Sequence, residues 1–137
     1  MTNAPAQAPI PPQRVMSQFL FAKQLTASLS ALARLGVADH MGDEPVSADV
    51  LAAKVGAHAP SLYRVMRMLA SFDVFSQEPG GKFALTPLGA LLRTDAPGSM
   101  RYMAMMLGDE PSMRDYVHMA DCIRTGQDGI TMAYGKP

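Results

Sequence analysis

A mainly α domain with one small β-hairpin is the fold class this sequence predicts, and three observations predict it. Apolar residues recur at helical spacing along most of the chain, strand-like runs are confined to residues 74–85, and Gly and Pro stand where helices should stop and start. With 137 residues and 48% hydrophobic content there is room for one domain with a core of its own.

Residues 1–13 are mostly Ala, Pro, Gln and Asn with almost no large apolar group, the composition of a disordered tail or of an arm that orders on a partner. From Arg14 the pattern changes, and Val15, Met16, Phe19, Leu20, Leu25, Leu29, Leu32 and Leu35 predict a long helical stretch within residues 14–46. Its apolar residues spread too widely for one narrow stripe, and Phe19-Leu20-Phe21 in succession must face more than one side. Such a helix needs more than one neighbour, either from a second chain or from within its own.

Residues 47–95 read as two short helices, a hairpin and a helix restart, the order of a winged helix. Ser47 caps a helix carrying Val50, Leu51 and Val55, and Gly56 supplies its left-handed stop. Pro60 opens a second helix in which Leu62, Val65, Met66 and Leu69 share one face, while Arg64, Arg67 and Ser71 occupy the other. Val74-Phe75-Ser76 and Lys82-Phe83-Ala84-Leu85 flank the turn formers Glu78-Pro79-Gly80-Gly81 and predict the wing. Thr86-Pro87 then restarts helix, and Leu88, Leu91 and Leu92 turn an apolar stripe back to the core.

Residues 96–137 concentrate methionine. Met100, Met103, Met105, Met106, Met113 and Met119 fall on two helix-like segments divided by Gly108-Asp109-Glu110-Pro111. Methionine fills irregular gaps and also lines adaptable surfaces for flat ligands, so both core packing and a ligand wall are open here.

Charge argues against nucleic acid. Residues 47–95 hold five cations against four anions and the whole chain has a formal net charge of zero, whereas a DNA reader concentrates Lys and Arg to displace counterions and offers Arg, Asn or Gln to base edges. No run approaches the length of a membrane span and no basic leader precedes Phe19-Leu20-Phe21-Ala22. One cysteine, Cys122, excludes an internal disulfide framework, and the expected setting is the cytoplasm. His118 and Cys122 stand four apart, but two ligands make no metal site; His40 suits the end of a short helix and His58 a solvated turn. No nucleophile stands with a base, so no catalytic, cofactor-binding or metal residue is expected in this chain.

The order of several motifs is more specific than any of them alone. Ala31-Leu32-Ala33-Arg34-Leu35-Gly36-Val37-Ala38-Asp39-His40-Met41, Leu62 to Leu69 and Phe83-Ala84-Leu85-Thr86-Pro87-Leu88-Gly89, followed by Asp95 to Met100, Arg124-Thr125-Gly126 and Tyr134-Gly135, closely resemble the N-terminal dimerisation domain of S-adenosylmethionine-dependent small-molecule O-methyltransferases. The resemblance is to the bacterial natural-product and plant caffeate-like type and runs from about Val15 to the end. One departure is Asp73, where the family usually has Gly before the first wing strand; a left-handed backbone there would suit Gly, and Asp tolerates it better than most residues.

The resemblance implies a homodimer whose N-terminal helices interlock between subunits, with Phe19, Leu20, Leu25, Leu29 and Leu32 at the seam. It implies that Met103, Met106, Tyr116 and Met119 stand beside the cleft for a small aromatic or polyketide-like hydroxyl acceptor. The family's methyl-donor domain, with its glycine-rich loop, acidic ribose ligand and catalytic His, has no counterpart before Pro137: Gly126 and Gly129 sit in a polar segment with no apolar strand ahead of them. The expectation is therefore a dimerisation and substrate-lid domain that holds no cofactor itself, present as one part of an enzyme, a split subunit or an inactive partner of a complete one. A free-standing winged-helix DNA regulator is the alternative.

Overall fold

The computed structural model describes residues 8–135. Most of the expected N-terminal arm, residues 1–7, lies outside the described residues, as do residues 136–137.

Helices α1 (Pro12–Leu20) and α2 (Ala22–Leu35) occupy the predicted long helical stretch, but Phe21 between them divides it. The helical stretch expected there is thus two helices. The break lets α2 bury Ser30, Leu32 and Ala33 in the core while α1 buries none of its residues. Gly36 ends α2 with φ 70°, and a short 3-10 turn over Val37–His40 then sends Val37, Ala38 and Met41 inward.

The winged unit follows as the spacing predicts. Strand β1 (Val46–Ser47) leads into α3 (Ala48–Val55), where the Ser47 hydroxyl accepts from the Val50 amide at 3.2 Å and Gly56 closes the helix at φ 69°. In α4 (Ala59–Ala70) Leu62, Met66 and Leu69 are buried, Val65 is half-buried, and Arg64 and Arg67 face solvent. Strands β2 (Phe75–Glu78) and β3 (Lys82–Leu85) form the wing, with Phe75 opposite Leu85 and Glu78 opposite Lys82. The two-residue β1 has too little pattern to be read from sequence; it pairs antiparallel with β3, giving the sheet order β1-β3-β2. Phe83 is the hub, meeting Tyr63 edge-on at 5.6 Å and Phe75 at 6.3 Å between ring centres.

Asp73 has φ 60°, the left-handed backbone expected just before the first wing strand. Beyond the wing, Thr86 accepts from the Gly89 amide and caps α5 (Pro87–Ala90). A Cβ on Gly89 would lie 2.0 Å from the Val74 carbonyl oxygen, so α5 meets the root of the wing backbone to backbone.

The methionine-rich end is more broken than two helices. It comprises α6 (Arg101–Leu107), α7 (Glu110–Arg114), a 3-10 turn over Asp115–His118, α8 (Met119–Thr125) and α9 (Gly129–Tyr134). None of these elements contains a buried residue. The core thus lies between α2, α3, α4 and the sheet, and α1 and α6 to α9 contribute no buried residue to it.

Candidate functional site: an apolar groove between α2 and α6

Helices α2 and α6 form the two walls of a groove of about 370 Å³. Leu25 and Leu29 come from α2, Met103 and Leu107 from α6, and Phe72, Leu88 and Leu91 close the floor. Thr26 is the one polar side chain among its lining residues. A second recess of about 200 Å³ shares Leu25 and Phe72 and continues the groove to Phe21, Gln18 and Arg14 on the α1 side. The groove therefore ends against a helix that buries nothing: Phe19 and Leu20 on α1 are each 69% exposed and Phe21 is 63% exposed. Apolar surface in such continuity marks an association site.

The walls are set by polar contacts outside the groove. The Arg101 guanidinium donates through Nε to the Ala33 carbonyl at 2.9 Å and pairs through Nη1 with Asp39 Oδ2 at 3.1 Å. The same carboxylate accepts from the Thr94 amide at 2.8 Å and from its hydroxyl at 2.6 Å. Burial alone would raise the Asp39 pKa, but the hydrogen bonds from Thr94, with the charges of Arg101 and Arg93, outweigh it and hold the carboxyl below its ordinary value. From the other side Arg34 donates to the Met105 carbonyl at 2.7 Å, and the buried Ser30 hydroxyl donates to the same oxygen at 3.3 Å. Gly108 sits directly on Ser30, where a Cβ would stand 2.2 Å from the serine Cβ.

The residues assigned to the dimer seam separate into three kinds. Phe19 and Leu20 are exposed on α1, and Leu25 and Leu29 line the groove while touching the core. Leu32 is 3% exposed and belongs to the chain's own core, which removes it from any seam in this conformation. It falls one turn past Leu29, on the part of α2 that packs into the buried core.

The four residues assigned to an acceptor wall are not brought together. Met103 lines the groove, whereas Tyr116 and Met119 share a different recess of about 390 Å³ with Leu107, Asp115 and Cys122. Met106 is exposed and lines neither. Consecutive helical positions point about 100° apart, so Met103 and Met106 diverge only modestly, but the bend at Gly108 carries Tyr116 and Met119 away from both. Cys122 stands 3.9 Å from the Met132 sulfur, and among the described residues no three His, Cys, Asp or Glu side chains could hold a metal.

Sequence reasoning missed the Asp39-Thr94-Arg101 cluster. Its members are scattered across 62 positions, and nothing in local spacing joins them.

The family model for the O-methyltransferase dimerisation domain matches residues 17–95. Over 135 residues, 98% of its length, the chain is 38% identical to the phenazine O-methyltransferase PhzM of Lysobacter antibioticus and spans 39% of that protein. The crystal structure of LaPhzM superposes with a TM-score of 0.84 at 38% identity, covering 93% of this chain and 38% of the other. The structure of CalO1, a methyltransferase of calicheamicin biosynthesis in its SAH-bound form, superposes with a TM-score of 0.79 at 31% identity, covering 94% of this chain and 39% of the other. The chain thus spans about two fifths of the length of the relatives it matches. Among the described residues no helix is long and apolar enough to cross a membrane.

Proposed function

The chain belongs to the O-methyltransferase dimerisation-domain family, and from that premise we propose that it joins two copies of itself through their N-terminal helices and covers the acceptor cleft of a methyl-transferring domain. Residues 14–46 supply the pairing helices, 47–95 the scaffold and 96–137 the cover. In this reading α1 of one copy lays Phe19 and Leu20 into the groove of the other, against Leu25 and Leu29. The observation that carries it is the coincidence of an apolar groove with a helix that buries nothing beside it. Burying apolar side chains of this size contributes about 1.5–3 kcal/mol each, and among the described residues nothing covers Phe19 and Leu20 or fills the groove.

The acceptor we propose is a small aromatic or polyketide-like hydroxyl compound, with Tyr116 and Met119 as one wall and Met103 and Met106 on the neighbouring helix. Flat rings suit methionine and tyrosine faces. The methyl donor of the reaction would be S-adenosylmethionine, and the described residues of this chain do not fit it. Their two strand-to-helix junctions, Ser47 before α3 and Thr86-Pro87 before α5, carry capping hydroxyls rather than a glycine-rich turn that could admit a nucleoside. Methyl transfer is thus assigned to residues outside this domain, and this domain's share is to align two copies and exclude water. The lone Cys122 suits the reducing cytoplasm in which we place it.

Sedimentation velocity of the chain at micromolar concentration tests the pairing. The expected result is a dimer that Phe19→Glu converts to monomer, because a carboxylate cannot enter an apolar groove without losing its water. A wild-type chain that sediments as monomer throughout that range overturns the proposal.

A further inference from the structure

The two walls of the groove cap each other. Helices α2 and α6 run antiparallel, with Arg101 at the start of α6 beside Ala33 in the last turn of α2, and Gly108 after the end of α6 beside Thr26 and Ser30. At one end Arg101 of α6 donates to the Ala33 carbonyl of α2; at the other Arg34 of α2 donates to the Met105 carbonyl of α6. Carbonyls in the last turn of a helix lack intrahelical donors, and a cation there also favours the negative end of the helix dipole. Arg34, with Ser30, thereby supplies the donors for a carbonyl in the last turn of α6, while Arg101 adds a second donor to an Ala33 carbonyl that already accepts from the Gly36 amide at 3.2 Å.

That exchange matters more for α6 than for α2. Helix α2 is anchored by Ser30, Leu32 and Ala33 in the core, whereas α6 has no buried residue and only Ala104 and Met105 reach the core from it. A seven-residue helix has little stability of its own. Asp39 and Thr94 hold the Arg101 guanidinium in the orientation that reaches Ala33. None of Arg34, Asp39, Thr94 and Arg101 lines the groove.

We propose that Arg34 and Arg101, the latter oriented by Asp39 and Thr94, are positioning residues for dimer formation: they fix α6 as the second wall of the groove without touching what enters it. The proposal rests on the reading that the groove receives the partner's helix. It assigns control of pairing to polar groups outside the seam, so that loss of either arginine leaves every apolar contact residue in place and still loosens the dimer.

Sedimentation equilibrium and amide hydrogen exchange on the full chain test it together, with wild type, Arg34→Ala, Arg101→Ala, Arg101→Lys and, as a control, Arg124→Ala, whose exposed guanidinium pairs among the described residues with the half-buried Asp121 on its own helix. Expected is a dimer dissociation constant raised at least tenfold by Arg34→Ala and Arg101→Ala, partial recovery with lysine, and a change below twofold in the control. Exchange of the 103–107 amides should quicken while α3 and α4 stay protected, which separates a loosened α6 from an unfolded domain. Unchanged dimer affinity in both alanine variants overturns the proposal, whatever the exchange does. A wild-type chain that proves monomeric overturns the pairing reading and the tie to it, and the exchange data then decide alone whether the arginines hold α6.

Discussion

The contact between Gly108 and Ser30 allows the α2-α6 packing to be tested by a single methyl group. Gly108 has φ −103° and ψ 9°, a conformation open to alanine, so Gly108→Ala introduces no backbone strain and its whole effect is steric. The new Cβ would lie 2.2 Å from the Ser30 Cβ, 2.6 Å from its Oγ and 3.3 Å from the Thr26 carbonyl oxygen. An ordinary carbon-carbon contact is about 3.5–4.0 Å, so the end of α6 must retreat by roughly 1.5 Å from a serine that is 2% exposed and has nowhere to turn. Overpacking of this size costs about 1–3 kcal/mol. For a domain of this length that lowers Tm by roughly 4 °C per kcal/mol.

A double-mutant cycle identifies the cause. Ser30→Gly removes the clashing Cβ, at its own cost of about 1 kcal/mol for glycine inside a helix, whereas Ser30→Ala keeps that Cβ. Urea unfolding should show that Ser30→Gly recovers about 1 kcal/mol or more of the Gly108→Ala loss and that Ser30→Ala recovers almost none. Additive losses for Gly108→Ala with Ser30→Gly, or a Gly108→Ala variant within about 0.5 kcal/mol of wild type, would refute the close approach of α6 to α2.

Two further outcomes follow from single residues. Asp73→Gly should leave stability unchanged or raise it by up to about 1 kcal/mol in urea unfolding, while Asp73→Val should lower it by about 1–2 kcal/mol, since a β-branched side chain at φ 60° meets the following carbonyl; equal stability of the two variants counts against a left-handed backbone there. Asp39 has a folded-state pKa below its unfolded value, so its contribution is present above about pH 4 and is lost as pH falls through the depressed folded value; the stability gap between wild type and Asp39→Asn should be constant from pH 7 to about pH 5 and close below about pH 4. A gap that persists unchanged in acid would mean the carboxylate charge is not what Thr94 and Arg101 hold.

Where one residue settles its own neighbourhood, the sequence was legible. Ser47 and Thr86 cap the helices they precede, Gly56 takes a left-handed stop, and Asp73 adopts positive φ, because each effect spans at most three or four positions. The core face of α4 followed from helical spacing in the same way. Contacts between distant segments were not legible: the fate of Leu32 depended on which turn of α2 packs into the core, and the Asp39-Thr94-Arg101 cluster on a fold that brings residues 39, 94 and 101 together. The residues proposed as an acceptor wall fell between these cases. Their chemistry is plain in the letters, but Met103 and Tyr116 fall on separate elements either side of the break at Gly108 and line different recesses.

The groove draws its walls from opposite ends of the domain, and this orders events during synthesis. Leu25 leaves the ribosome about eighty residues before Leu107, a delay of roughly 4–16 s at ordinary elongation rates. On the proposed pairing, α1 is already made throughout that interval while the groove that would receive it is incomplete on its own chain and on a neighbour at the same stage. Nascent chains therefore pass through a period in which Phe19, Leu20 and Phe21 are open to any apolar surface, and the proposed pairing ties the timing of assembly to how soon residues 101–107 emerge.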